Sequence, residues 1–225
     1  MVRTAVAQRI IEGFLDGIFP PVCVGCSSAG EWLCTMCVQS IPFVGSVDLP
    51  NESPLQSLTA LSMYRHPLVG GLIRSFKYQR AVCLEEEAFF RVAKRFAMEH
   101  TLQTPSMIVP LAMDPERERI RGMDHALQLA LVVQRALFPD VPVIQLLSRT
   151  RHTETNAQLD SAAARAANVR DVFAVDKSLT RQRILLVDDV FTTGATIYEA
   201  AKTLQKNTPD LSVDAFVFAL SEASK

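Results

Sequence analysis

Neither sign of charge accumulates in this chain of 225 residues: 23 Lys and Arg stand against 24 Asp and Glu, a formal net charge of -1. That balance removes the global electrostatic reason to expect nucleic acid or an anionic membrane, and leaves open only a local basic surface. No apolar run is long enough to span a bilayer. Near the N-terminus Ile10, Ile11, Phe14, Leu15, Ile18 and Phe19 are apolar, but Glu12 and Asp16 interrupt them. No small-residue cleavage site follows, so the stretch makes a poor secretory signal and the expected compartment is the cytoplasm. His66, His100, His125 and His152 are dispersed and nominate no metal ligand; only His125 is placed where a general acid or base would help. Internal repeats and low-complexity tracts are also missing.

What is present is a core. Apolar residues make up 48% of the chain, enough for one substantial α/β domain and a small appendage. The spacing of Val6, Ile10, Phe14 and Ile18 is helical and predicts an amphipathic helix over 1–19, which docks on the rest of the protein. Ile41 to Pro54, rich in Pro, Gly, Ser and Asp, reads as a linker. Strands are predicted at Leu58–Tyr64, Ser106–Val109, Val143–Leu147, Ile184–Val187 and Val213–Leu220. Helices are predicted from Pro67 to about Lys77, from Glu85 to about Glu99, and over Gly122–Leu137, Ala162–Ala167 and Ala195–Lys206. Strands alternating with helices predict a mostly parallel, doubly wound sheet.

Four of the five Cys lie in one segment: Cys23-Val-Gly-Cys26, seven residues, then Cys34-Thr-Met-Cys37. Two C-x-x-C knuckles supply four thiolates at the spacing of a small structural Zn²⁺ ribbon, with no open coordination position for catalysis. Two disulfides would call for a secretory setting, and a redox pair would not need duplication. A segment this short cannot fold on hydrophobic burial alone, so metal binding would supply its folding free energy. Cys83 stands apart and reads as a small hydrophobe.

The most informative run is Ile184-Leu-Leu-Val-Asp188-Asp189-Val-Phe-Thr192-Thr193-Gly194-Ala195-Thr196. An apolar strand ends on two carboxylates, passes a hydroxyl-rich turn and opens a helix. Ligands of open α/β sheets bind at that edge. Backbone N–H groups and Thr hydroxyls at a helix N-terminus favour a phosphate. The two acids suit sugar hydroxyls or a hydrated Mg²⁺ bridging to the ligand. The plainer alternative is a solvated Asp pair ahead of a Thr-Gly helix cap.

The run resembles the 5-phosphoribosyl-1-pyrophosphate (PRPP) signature of type I phosphoribosyltransferases. The resemblance implies that Asp188 and Asp189 hold the ribose hydroxyls and orient the sugar in catalysis. It implies that Thr192, Thr193, Gly194, Ala195 and Thr196 bind the 5-phosphate. Joined to a four-Cys knuckle, the chain resembles the ComF family of competence-associated proteins. Further segments carry that likeness: Leu72 to Tyr78 with Lys77, Val109-Pro110-Leu111, Arg117 to Gly122, Arg149 to Arg151, Gln158-Leu159, Arg165, and Asn168-Val169-Arg170. Asp114-Pro115 and Met123-Asp124-His125 depart from the family pattern, putting acids near the expected pyrophosphate site.

The implied fold is a phosphoribosyltransferase-like mostly parallel sheet flanked by helices, over 46–225, preceded by a zinc knuckle over 20–45. Lys77 and Arg121, and less so Arg117 and Arg119, are the cations aimed at a diphosphate. Arg149, Arg151, Arg165 and Arg170 offer a stripe for single-stranded DNA, without interleaved aromatic residues to stack on bases. Two functions follow from the resemblance. One is transfer of phosphoribosyl from PRPP to an unidentified acceptor with Mg²⁺. The other is a non-catalytic nucleotide- or DNA-binding adaptor of DNA uptake, docking a competence helicase.

Overall fold

The computed structural model describes residues 22–78, 82–153, 161–175 and 182–221; the side chains at 78, 82–85, 117, 121 and 162 lie outside that description. The expected helix over 1–19, Gln158-Leu159 and the side chains of Cys83, Arg117 and Arg121 therefore fall outside the described residues. The chain forms two compact units, one ending at Ser40 and the other beginning at Ile41.

In the first unit the chain folds back on itself through a bridge between Val22 and Ala29, and closes with helix α1 (Thr35–Gln39). The turn between them is held by Ser27 N–H donating to the Cys23 carbonyl and Cys23 N–H donating to the Ser28 carbonyl, both at 2.8 Å.

The second unit is built on a five-stranded sheet. Its strands are β1 (Gly45–Val47), β2 (Ser57–Met63), β3 (Met107–Pro110), β6 (Arg183–Phe191) and β7 (Ser212–Leu220), in the order β1-β2-β7-β6-β3. All pairings are parallel except the edge pair of β1 and β2. The two central strands carry the longest apolar runs, as burial on both faces demands. Alternation sorts their side chains. Ile184, Leu186, Val213, Ala215 and Val217 join Ile197, Ala200, Ala201 and Leu204 of helix α7 (Ala195–Asn207) in one core. Phe216 and Phe218 face the other way, in an edge-to-face series with Phe96 and Phe89 of helix α3 (Val82–Glu99); Phe76 of helix α2 (Pro67–Tyr78) extends it. Each such buried ring contributes roughly 2–3 kcal/mol.

A separate antiparallel pair, β4 (Leu147–Arg149) with β5 (Phe173–Val175), precedes and follows helix α6 (Ala162–Val169).

Most main strands and helices lie within a few residues of those predicted, but β6 runs four residues past the predicted end at Val187, so Asp188 and Asp189 lie within the strand, and three more differences stand out. The helix expected over Gly122–Leu137 begins later. Gly122, at φ 78°, instead closes helix α4 (Pro115–Arg121), and Asp124 caps helix α5 (His125–Leu137) by accepting from Leu127 N–H at 3.0 Å. The strand expected at Val143–Leu147 reduces to a single bridge between Val143 and Ile108, regular pairing starting only at Leu147. The expected linker contains β1, whose pairing with β2 no local signal announces.

Candidate functional site at the carboxyl edge of the sheet

β6 lies between β7 and β3, and its Asp188, Asp189 and Val190 are half-buried before Phe191 returns to the core. Asp188 pairs with Val217 in register, and Pro110, the last residue of β3, pairs with Val187, so the acid pair lies just past the end of β3 and in the carboxyl halves of β6 and β7. Strand alternation separates the two carboxylates. Asp189 shares the parity of Leu185 and Val187 and meets α2, where Lys77 Nζ lies 2.6 Å from its Oδ2. Asp188 shares the parity of Leu186 on the α7 side, and its Oδ1 accepts the Asp189 N–H at 2.8 Å. Burial and the neighbouring Asp189 charge push the Asp188 carboxyl up to about 7, against the opposing pull of the Asp189 N–H, Lys77 and Arg149. It is a half-buried carboxyl in need of a cation or a hydroxyl donor.

After Phe191 the chain turns through Thr192 and Thr193 to Gly194, which stands at the head of α7 with φ 77°. A Cβ at Gly194 would lie 2.6 Å from both Phe191 Cζ and Tyr198 Cε2, so the turn needs glycine for backbone angle and for space. Thr193 Oγ1 is shielded from solvent without a hydrogen-bond partner. Thr192, Ala195 and Thr196 are half-buried. The turn therefore presents the first N–H groups of a 13-residue helix beside hydroxyls, directly after the acid pair.

The cations divide. Lys77 is at the site, Arg119 is exposed, and the Arg121 side chain lies outside the described residues. Two of the arginines expected in a DNA-facing stripe are used internally. Arg149 donates from Nε to the Ala112 carbonyl at 2.9 Å and from Nη1 to Thr153 Oγ1 at 2.7 Å. Arg151 Nη2 donates to the Asn168 and Arg170 carbonyls, each at 3.0 Å. They lace loops together, which a sequence cannot reveal.

One further sequence expectation is corrected, and another gains a structural role. His125, placed as an acid or base, is buried at 4% exposure; its Nε2 donates to the Phe76 carbonyl at 2.6 Å and its ring packs edge-on against Phe76. It is a core histidine. Asp114 and Asp124, read as acids beside a pyrophosphate site, also serve as N-cap residues whose carboxylates accept from the Glu116 and Leu127 N–H groups.

At the opposite edge of the sheet a groove of about 610 Å³ is lined in part by Ser57, Arg183, Asp214, Glu99 and His100. Asp214 is already satisfied there by Ser57 Oγ and Arg183 Nη1, both at 2.6 Å. The groove stands away from the acid pair.

In the first unit Cys23, Cys26, Cys34 and Cys37 bring their sulfurs within 4.8 Å of one another as free thiols. Cys26 and Cys34 Sγ are 3.6 Å apart. A tetrahedron with bonds of about 2.3 Å has edges of about 3.8 Å, so the cluster can hold a metal ion. Burial opposes ionisation of Cys23, but the Cys34, Cys26 and Gly25 N–H groups outweigh it and draw the thiol down to about 6. Cys37 is pushed up to about 12 by burial and by the three neighbouring sulfurs. Four crowded sulfurs cannot all ionise without a cation among them.

No family model matches the chain. It is similar to competence protein F of Haemophilus influenzae, 28% identical over 206 residues that span 88% of this chain and 82% of that protein. It is similar to DNA utilization protein YhgH of Escherichia coli K12, 29% identical over 200 residues, spanning 83% and 85%. Among solved structures, adenine phosphoribosyltransferase of Leishmania tarentolae is 12% identical over 68% of this chain and 76% of that chain, with a TM-score of 0.38. Glutamine PRPP amidotransferase of B. subtilis is 17% identical over 58% of this chain, which spans only 26% of that enzyme, with a TM-score of 0.37. The parallel core, its antiparallel edge strand and the acid-to-threonine turn define an α/β protein with a mostly parallel sheet flanked by helices and a four-Cys appendage. Its similarity to competence protein F and DNA utilization protein YhgH supports a ComF-family protein.

Proposed function

We propose that the carboxyl edge of the sheet binds PRPP with Mg²⁺ and supports phosphoribosyl transfer to a nucleophile, releasing pyrophosphate. The observation that carries the reading is the half-buried carboxyl of Asp188 beside Asp189, one turn ahead of a glycine-capped helix. In this reading the N–H groups of Gly194 and Ala195 and the hydroxyls of Thr192, Thr193 and Thr196 hold the 5-phosphate. Asp188 and Asp189 accept from the ribose hydroxyls and Lys77 faces the diphosphate, with Arg121 the further cation that the family resemblance implies.

The donor set fits a hard cation: adjacent carboxylates, one bearing a single salt bridge and one none among the described residues. Mg²⁺ bound there supplies positive charge to the departing diphosphate. The chain's own residues position the sugar and stabilise the charge that moves, so catalysis is mainly preorganisation. Lys77 is held by Asp189 until a diphosphate oxygen competes for it. Titration calorimetry with PRPP and Mg²⁺, followed by a pyrophosphate-release assay over candidate bases, tests the two parts in turn.

The names competence protein F and DNA utilization protein YhgH support a role for this protein in DNA uptake or use. We place Zn²⁺ in the four-Cys cluster, where it folds the first unit. Val24 and Met36 of that unit are 57% and 75% exposed, which supports docking of a partner protein, a helicase of DNA uptake as the ComF resemblance implies. Arg149 and Arg151 are spent on carbonyls, so direct single-stranded DNA binding gains no support from them.

A further inference from the structure

Asp114 is the most heavily used carboxylate at the carboxyl edge. It follows β3 and is buried to 1% side-chain exposure. It accepts from Glu116 N–H at 3.0 Å and Thr153 N–H at 3.2 Å, and its Oδ2 lies 2.9 Å from His152 Nδ1. Burial acts to raise its pKa, but the His152, Thr153 and Glu116 hydrogen bonds outweigh it and hold the carboxyl below its ordinary value. An ionised carboxylate only accepts, so it fixes the proton of the neutral imidazole on Nδ1. Glu116 Oε2, 3.4 Å from the same nitrogen, reinforces that tautomer. The Nε2 lone pair is left outward on a side chain that is 56% exposed, with no partner among the described residues.

A buried acid orienting a histidine whose second nitrogen faces solvent is the base-and-orienter arrangement of proton-transfer sites. The other histidines lack it: His125 spends Nε2 on a core carbonyl, and His100 stacks flat on Phe96 at 4.1 Å. The dyad is also tied to the acid pair. Arg149 bonds Ala112, two residues before Asp114, and Thr153, next to His152, while its charge acts on the Asp188 carboxyl.

We infer that His152, oriented by Asp114, accepts the proton of the attacking group at this edge, the acceptor being a protic nucleophile such as water, an amine or a hydroxyl. The inference rests on the PRPP reading above. As the nucleophile's lone pair bonds to the anomeric carbon, the bond from that carbon to the diphosphate oxygen breaks and its electron pair leaves on pyrophosphate. The nucleophile's proton passes to Nε2, and Asp114 stabilises the resulting imidazolium without taking the proton. With water the balance is PRPP and water giving ribose 5-phosphate, pyrophosphate and one proton.

The test uses the full chain, PRPP with Mg²⁺, and water as the acceptor. Calorimetry reads binding, and single-turnover pyrophosphate release reads the step. His152→Gln, at an exposed site, is expected to bind PRPP within about threefold of the native protein while releasing pyrophosphate at least about 100-fold more slowly. Added imidazole is expected to restore release in His152→Gly, a rescue that a purely structural role would not show. Binding with equal release from native protein and His152→Gln, or binding with no release from the native protein, overturns the dyad alone. Failure of the native protein to bind PRPP overturns the site reading and removes this inference with it.

Discussion

Lys77 Nζ stands 2.6 Å from Asp189 Oδ2, tying the last turn of α2 to the carboxyl half of β6, while the adjacent Asp188 forms no salt bridge among the described residues. Both partners are about one-fifth exposed, so the pair is only partly screened. Removing the lysine would leave Asp189 without its ion pair and Asp188 without one of its nearby positive charges. Lys77→Met is expected to cost about 1–2 kcal/mol of stability in chemical denaturation at pH 8, and to weaken PRPP binding at least about tenfold. A variant with native stability and native affinity would show that the pair serves neither fold nor ligand.

The Asp188 carboxyl sets a pH dependence whose sign is fixed. Its folded pKa, pushed up to about 7, lies above the unfolded value of about 4. Below the unfolded value both states are protonated and its contribution is fully present. As pH rises towards and through 7, the folded state must give up a proton that the unfolded state has already lost, and stability falls. Asp188→Asn is therefore expected to exceed the native protein in stability by about 1–2 kcal/mol at pH 8, discounting for partial exposure, and to match it near pH 4. Denaturation across that range checks it; parallel curves for the two proteins would contradict it. Binding of PRPP and Mg²⁺ near neutrality should release a proton, seen as a buffer-dependent calorimetric enthalpy.

Gly194 combines a left-handed backbone with two aromatic neighbours that leave no room for a Cβ. Gly194→Ala is expected to destabilise the protein by about 1–3 kcal/mol and to abolish PRPP-induced thermal stabilisation. A circular-dichroism melt with and without PRPP reads both effects. Retention of the ligand-induced shift would mean that the phosphate does not use this turn.

The four-Cys cluster should copurify with about one Zn²⁺ per chain. Cys34→Ser is expected to lose most of that metal and to make the first unit sensitive to proteolysis, since little but the metal orders it. Elemental analysis returning no zinc from native protein would contradict the assignment.

The parts of this molecule legible in its sequence are those whose cause is local. The β6 run, the Thr-Thr-Gly turn and the paired C-x-x-C knuckles each carry their own chemistry within a dozen residues or so. The break between α4 and α5 was also written locally, in Asp114-Pro115, Gly122 and Asp124, but those acids invite a reading as site residues before one as caps. What cannot be read is pairing across distance. The contacts of Lys77 with Asp189 and of His152 with Asp114 depend on which strands become neighbours, as does β1, a three-residue edge strand that exists only through β2. Two members of the arginine stripe, Arg149 and Arg151, escape a sequence reading for the same reason, because nearby carbonyls claim their donors once the loops are packed.

The central claim is that the edge formed by Asp188, Asp189 and the turn to Thr196 is a phosphoribosyl site. Titration calorimetry of the native protein with PRPP and Mg²⁺, set beside the Asp188→Asn, Asp189→Asn double variant, tests it most directly. Saturable binding near one PRPP per chain, lost in the double variant, is the predicted result. No heat and no thermal shift at millimolar PRPP in the folded native protein would contradict it.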